Sequence, residues 1–119
     1  LSVLLDDLAE RELLASTLVI VLSEFGRTPK INKDVGRDHY AAAWSTVLAG
    51  AGIRGGVVHG RTDRDGVEVA DGKVSAGDLF ATIFRSVGID PNKHYHAGLR
   101  PVPLAPEQSQ AVASLLNIA

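Results

Sequence analysis

Thr17-Leu-Val-Ile-Val-Leu22 is a continuously apolar stretch, rich in β-branched residues, in which polar and apolar positions do not alternate. Such a run is typical of a strand buried on both faces, as in a parallel sheet that is covered by helices. Residues 1–14 precede it with leucines near a 3.6-residue period, which predicts a helix. A helix followed by a doubly buried strand predicts an α/β architecture.

A charged loop follows this predicted strand, beginning with Ser23-Glu-Phe-Gly-Arg-Thr-Pro-Lys30 and continuing through Gly36-Arg-Asp-His39. Open α/β sheets bind their ligands beyond the carboxyl ends of the strands. On residue types alone, a solvated loop with surface ion pairs is about as well supported as a ligand site. The length and charge density of the connection favour a site. Its candidate residues are Glu24, Arg27, Arg37, Asp38 and His39.

The composition excludes several classes of protein. The 119 residues include 12 Lys plus Arg and 14 Asp plus Glu, and the net charge of -2 argues against a dedicated nucleic-acid binder. No cysteine is present, which excludes disulfides, zinc–thiolate sites and a cysteine nucleophile in this chain. No apolar run is long enough to cross a bilayer. Because the chain begins at Leu1 and contains no Met, we expect it to be part of a longer protein whose export signal would lie upstream.

A glycine-rich segment, Gly50-Ala-Gly-Ile-Arg-Gly55, follows a second predicted core strand at Trp44–Ala49 and matches the pattern G-x-G-x-x-G. The dinucleotide-binding form of this motif requires a helix to begin on the glycines. The residues that follow are strand-like and broken by glycine, so the segment is interpreted as a turn. Farther on, Asp71-Gly72 predicts a hairpin that pairs residues 67–69 with residues 73–75.

The last third of the chain contains one clear helix, over residues 79–87, with an apolar stripe, a start signal at Ser75 and Asp78, and a stop at Gly88. His94 and His96 have a spacing that a metal can use on an extended chain. Two histidines cannot complete a site, and the surrounding stretch is rich in proline. Surface or packing histidines are therefore the favoured interpretation. A short helix is predicted over residues 107–117.

Several ordered motifs resemble the C-terminal portion of a bacterial sulfatase-like family, catalogued as domain of unknown function 1501. They include Leu18 to Pro29, Gly36-Arg-Asp-His39, Ala49 to Gly56, and Asp78 to Ile83, and the similarity runs from about residue 1 to Leu104. This resemblance implies an exported protein, often with a twin-arginine signal. It also implies a relationship to the alkaline phosphatase superfamily, in which an apolar strand ends in a metal-binding Asp-His pair followed by Gly.

The resemblance implies a fold and a partial site. The fold would be the C-terminal portion of a three-layer α/β domain with a mostly parallel central sheet, flanking helices and a small β-hairpin region, so that residues 1–119 form a single partial domain. Glu24 and His39 would bind a divalent metal such as zinc, calcium or magnesium. Phe25 stands where the superfamily has a ligand, so a two-metal site in its usual form is not expected. Arg27 and Arg37 would clamp an anion, and Asp38 would orient His39.

Two functions follow from these expectations. The first is a secreted metal-dependent hydrolase of sulfate or phosphate esters, perhaps on polysaccharides, whose nucleophile lies upstream so that this chain alone is inactive. The second is a non-catalytic binding or structural protein on the same scaffold, in which the charged loop forms a stabilising polar network. An ion pair between Arg27 and Glu24 is as well supported at this stage as an anion clamp.

Overall fold

The computed structural model describes residues 1–117, which form two α-helices, eight short strands and one 3-10 helix. The helices are α1 (Ser2–Glu10) and α2 (Ala76–Ser86), and the 3-10 helix is Ala113–Leu115. The strands are β1 (Leu18–Val21), β2 (Gly26–Arg27), β3 (His39–Tyr40), β4 (Val47–Gly50), β5 (Arg61–Thr62), β6 (Val69–Asp71), β7 (His94–Ala97) and β8 (Arg100–Pro103).

The strands form four separate two-stranded sheets, so the prediction of a mostly parallel central sheet with flanking helices is wrong. β1 pairs with β4, and the pairs β2–β3, β5–β6 and β7–β8 are antiparallel. The apolar stretch is not covered on both faces either, since Ile20 is 37% exposed and Val21 is 49% exposed. The physical reason is the connections: a parallel pair needs a crossover of a dozen or more residues, usually helical, whereas these three pairs are joined by loops.

The chain consists of two compact units. The first contains Leu1–Val19, Ala49–Val57 and the described part of Val74–Ala119. Its core is small and lies around α2 and the C-terminal segment, with Ala81 and Thr82 fully buried and Leu116 2% exposed. Ile53 bridges to Leu116, which ties the segment after β4 to the end of the described chain.

Helix α2 confirms the predicted helix and shows how it begins. Ser75 is the N-cap, its hydroxyl accepts from the Asp78 amide, and the Asp78 carboxylate accepts from the Ser75 amide. This reciprocal arrangement is a capping box, which satisfies two backbone donors at the helix start. The start signal expected at Ser75 and Asp78 is thus confirmed, with Ser75 as the N-cap.

The second unit contains Ile20–Leu48 and Val58–Lys73, and it holds the two hairpins β2–β3 and β5–β6. The hairpin predicted around Asp71-Gly72 is wrong, since β6 pairs with the preceding strand β5 and not with residues 73–75. Tyr40 donates from its hydroxyl to the Val67 carbonyl at 2.7 Å, which links the two hairpins within this unit.

Two further predictions are corrected near the ends of the chain. The N-terminal helix is shorter than predicted and ends at Glu10, and the predicted C-terminal helix over residues 107–117 is reduced to the 3-10 turn at Ala113–Leu115. Helices α1 and α2 have nine and eleven residues, and no helix within residues 1–117 is long and apolar enough to cross a membrane.

Candidate functional site

The β2–β3 hairpin places an arginine directly opposite a histidine. In its register Arg27 is the partner of His39, and Gly26 is the partner of Tyr40. Gly26 permits this geometry because a Cβ at that position would lie 2.2 Å from the Ala43 carbonyl oxygen. The hairpin thus brings together two candidate residues that are twelve positions apart in sequence.

An aromatic stack orients the imidazole of His39. The Phe25 and His39 rings lie 3.8 Å apart between centroids with an interplanar angle of 24°. The Arg27 guanidinium carbon lies 5.8 Å from the Phe25 ring centroid, within the range of a cation–π interaction. Stacking covers one face of an imidazole and leaves both ring nitrogens accessible at its edge. Phe25 therefore acts as a support for the imidazole of His39.

The two arginines of the site have different partners. Arg27 donates from Nη1 to the Arg37 carbonyl at 3.2 Å. Arg37 donates from Nη1 to the Thr28 carbonyl at 2.7 Å and also to the Pro29 carbonyl. Arg37 closes the loop between β2 and β3, because it bonds two carbonyls of that loop. Arg27 bonds a single carbonyl and is therefore the better placed cation for a ligand.

The Asp38 carboxylate is directed to the loop and not to the imidazole of His39. Its Oδ1 accepts from the Asn32 side-chain amide at 2.8 Å. Asn32 Oδ1 in turn accepts from the backbone amides of Asp34 and Gly36 at 3.0 Å and 2.9 Å. The Thr28 amide donates to the Asp38 carbonyl and the Asp38 amide donates to the Thr28 hydroxyl, which completes the closure. Sequence reasoning missed Asn32, although an asparagine that bonds the amide two residues ahead is a recognisable turn signal.

Glu24 is exposed and forms no ion pair with Arg27 within 4.0 Å, so the structure does not contain the ion pair considered from the sequence. Within residues 1–117, no three side chains of the His, Cys, Asp and Glu types gather in a way that could hold a metal ion. Glu24 and His39 therefore supply at most two ligands, and a tetrahedral zinc site needs four.

A comparison with protein-family models matches residues 1–116 to a family described as "Protein of unknown function (DUF1501)". The chain belongs to the DUF1501 family. No curated protein and no solved structure matches this DUF1501 chain. The resemblance to that family is confirmed, whereas the proposed link of the DUF1501 family to sulfatases and alkaline phosphatases is not shown by these comparisons.

The β2–β3 hairpin of this DUF1501 chain presents a guanidinium opposite an imidazole. Arg27 can pair bidentately with a sulfate or phosphate group, because its planar guanidinium presents two parallel donors. His39, held in a fixed orientation on the next strand, offers a ring nitrogen as a ligand or a proton carrier. Both side chains are exposed to solvent.

Proposed function

We propose that this chain is part of a secreted, metal-dependent hydrolase of sulfate or phosphate esters and supplies one side of its active site. The observation that carries the proposal is the register of the β2–β3 hairpin, which sets the Arg27 cation opposite the His39 imidazole. Ester hydrolysis of this kind requires a positive group at the developing oxyanion charge and a group that can bind a metal or move a proton. The hairpin presents one group of each type.

Of zinc, calcium and magnesium, the metals expected from the sequence, zinc fits the donor atoms of Glu24 and His39 best. Calcium and magnesium prefer oxygen ligands, whereas imidazole nitrogen suits zinc. Glu24 and His39 would be two of the ligands, and the remainder would come from outside residues 1–117. The metal would polarise the ester oxygen, while Arg27 would hold the non-bridging oxygens and Phe25 would fix the imidazole. Arg37 and Asp38 would act indirectly, by holding the loop in shape.

The test uses the intact protein that contains this chain, with zinc content and hydrolysis of 4-nitrophenyl sulfate and 4-nitrophenyl phosphate as readouts. His39→Ala should lose both bound zinc and activity. Arg27→Ala should keep the zinc and lower kcat/KM by about 100-fold, the usual effect of removing one charge-stabilising donor. Lys33→Ala is the matched control, because Lys33 is an exposed cation in the same loop, and it should change neither readout. Equal zinc and equal hydrolysis in His39→Ala would refute the proposal.

A non-catalytic scaffold is the second candidate, and the satisfied loop favours it. Arg37, Asp38 and Asn32 bond within the loop itself, and Phe25 rather than a ligand covers His39. In this case His39→Ala and Phe25→Ala should lower the melting temperature, and the wild-type protein should hydrolyse neither ester. Abolished hydrolysis with an unchanged melting temperature would exclude this alternative.

A further inference from the structure

The hairpin of β7 and β8 has a regular register through the proline-rich part of the chain. Its pairs are His94 with Pro103, Tyr95 with Val102, His96 with Pro101, and Ala97 with Arg100. A two-residue turn, Gly98-Leu99, joins the strands, and the φ of 64° at Gly98 suits the first central position of a type II′ turn. The stretch whose prolines argued against a metal-binding arrangement is therefore an ordered pair of strands.

His94 and His96 lie on one face of this hairpin. Side chains two residues apart on a strand point to the same side, and the cross-strand partners on that side are two prolines. Proline rings carry no hydrogen-bonding group that would compete for an imidazole. Both histidines are exposed, and within residues 1–117 neither imidazole forms a hydrogen bond, an ion pair or a ring contact.

We infer that His94 and His96 together bind a single divalent first-row transition-metal ion of the copper, nickel or zinc class. Two residues along a strand span roughly 6.6 Å, and imidazole nitrogens bind such metals at about 2.0–2.1 Å, so two imidazoles on one face can converge on one ion. Copper(II) binds most tightly, since it stands highest in the usual order of divalent affinities. Water completes the coordination, because the neighbouring prolines offer no ligand.

This site is separate from the one in the proposed function. It uses neither Glu24 nor His39, and its residues lie in the other compact unit of the chain. Its ligands are two neutral nitrogens, which select against calcium and magnesium. A failure of ester hydrolysis therefore leaves this inference unaffected, and a failure of metal binding at the hairpin leaves the hydrolase proposal unaffected.

The test is a titration of the full chain with copper(II) alone. Calorimetry measures the affinity and the number of copper ions bound, and the nitrogen hyperfine pattern in electron paramagnetic resonance counts the imidazole ligands. All proteins carry His39→Ala, so that the β2–β3 hairpin does not contribute. We expect one tight copper(II) ion per chain and a spectrum with two equivalent imidazole nitrogens. His96→Ala should weaken binding by about tenfold or more and leave one nitrogen, since one of two ligands is lost.

A register variant is the sharper control. His96→Ala combined with Ala97→His keeps the number of histidines but moves the second imidazole to the opposite face of β7. It should bind copper(II) as weakly as His96→Ala alone. Affinity within twofold of the parent in either variant, or a one-nitrogen spectrum in the parent, would overturn the inference. Circular dichroism of each variant verifies that the fold is unchanged, and a variant that fails this measurement is replaced by His94→Ala, for which the same loss is expected.

Discussion

Asp78 joins the start of helix α2 to a distant part of the chain, and its replacement by asparagine is expected to lower the stability of the protein. The Asp78 carboxylate accepts from the Ser75 hydroxyl at 2.6 Å and from the Ser75 amide at 3.1 Å. It also accepts from the Gln110 amide, 32 residues farther along, at 2.8 Å. An asparagine keeps the size of the side chain but has one acceptor oxygen where the carboxylate has two.

The expected loss follows from the bonds that the substitution removes. At least one of the three bonds must go, and the others lose their charge-assisted character. Loss of a helix cap costs typically about 1 kcal/mol, and a bond to a charged group in a partly exposed position adds a comparable amount at most. The free energy of unfolding should therefore fall by about 1–2 kcal/mol, which corresponds to a decrease of roughly 4–8 °C in the melting temperature for a domain of this size.

The effect should depend on pH in a defined direction. The hydrogen bond from the Gln110 amide, and then that from the Ser75 hydroxyl, hold the pKa of Asp78 below its usual value of 3.8. A lowered folded-state pKa means that the stabilisation is complete above 3.8 and is lost as the pH falls through the lower folded-state value. The difference between wild type and Asp78→Asn should therefore be full at neutral pH and shrink in acid below pH 3.8.

Thermal melts followed by circular dichroism at neutral pH and again below pH 3.8 test this reasoning. Asp6→Asn is the matched control, because Asp6 is an exposed helical carboxylate without a hydrogen-bond partner within the described residues, and it should leave the melting temperature unchanged. Equal stability of wild type and Asp78→Asn at neutral pH would show that the carboxylate bonds do not hold the helix start. A difference that persists unchanged in acid would refute the role of its charge.

Three other substitutions test the structure in both units. Thr82→Val should destabilise by about 1–3 kcal/mol, because this fully buried hydroxyl accepts from a backbone amide 30 residues away that would lose its partner; an unchanged denaturation midpoint would contradict this. Gly52→Ala should lower the melting temperature far more than Gly55→Ala. A Cβ on residue 52 would lie 2.6 Å from the Ser86 carbonyl oxygen, whereas a Cβ on residue 55 would meet nothing within 4 Å. Similar melting temperatures for the two variants would disprove the close approach. Arg37→Ala should speed proteolysis of the loop between β2 and β3, because the guanidinium that bonds the Thr28 carbonyl is lost, and unaltered cleavage would show that the loop closes without it.

Local patterns predicted the parts of the fold that depend on neighbouring residues. The apolar stripe and the signals at Ser75 and Asp78 predicted helix α2, because a helix start is decided by side chains within one turn. The interpretation of the segment after Gly50 as a turn is confirmed. The structure explains why residue 52 of this segment is a glycine, since it lies against the backbone of Ser86, where a Cβ would not fit.

The candidate site was only partly predictable. The charged loop identified Arg27 and His39, but nothing in the residue types could show that a two-residue ladder would set them opposite each other. The same patterns could not show that Arg37 and Asp38 would be occupied by the loop itself, because hydrogen-bond partners depend on how the chain closes. The interpretation of His94 and His96 as surface histidines is confirmed, because both are exposed, but only the strand pairing shows that they share one face of a hairpin.

By itself the sequence determined the helix of residues 76–86, the glycine-containing turns, the family of the chain and the location of the charged loop. Each of these depends on residues that are close together in the chain or on an ordered set of motifs. Only the tertiary structure decided how the strands pair. The apolar stretch from Leu18 to Leu22 has the composition of a strand in the middle of a parallel sheet, yet within residues 1–117 β1 pairs only with β4. Composition states how much apolar surface a strand carries, whereas the number and direction of its neighbours depend on connections elsewhere in the chain.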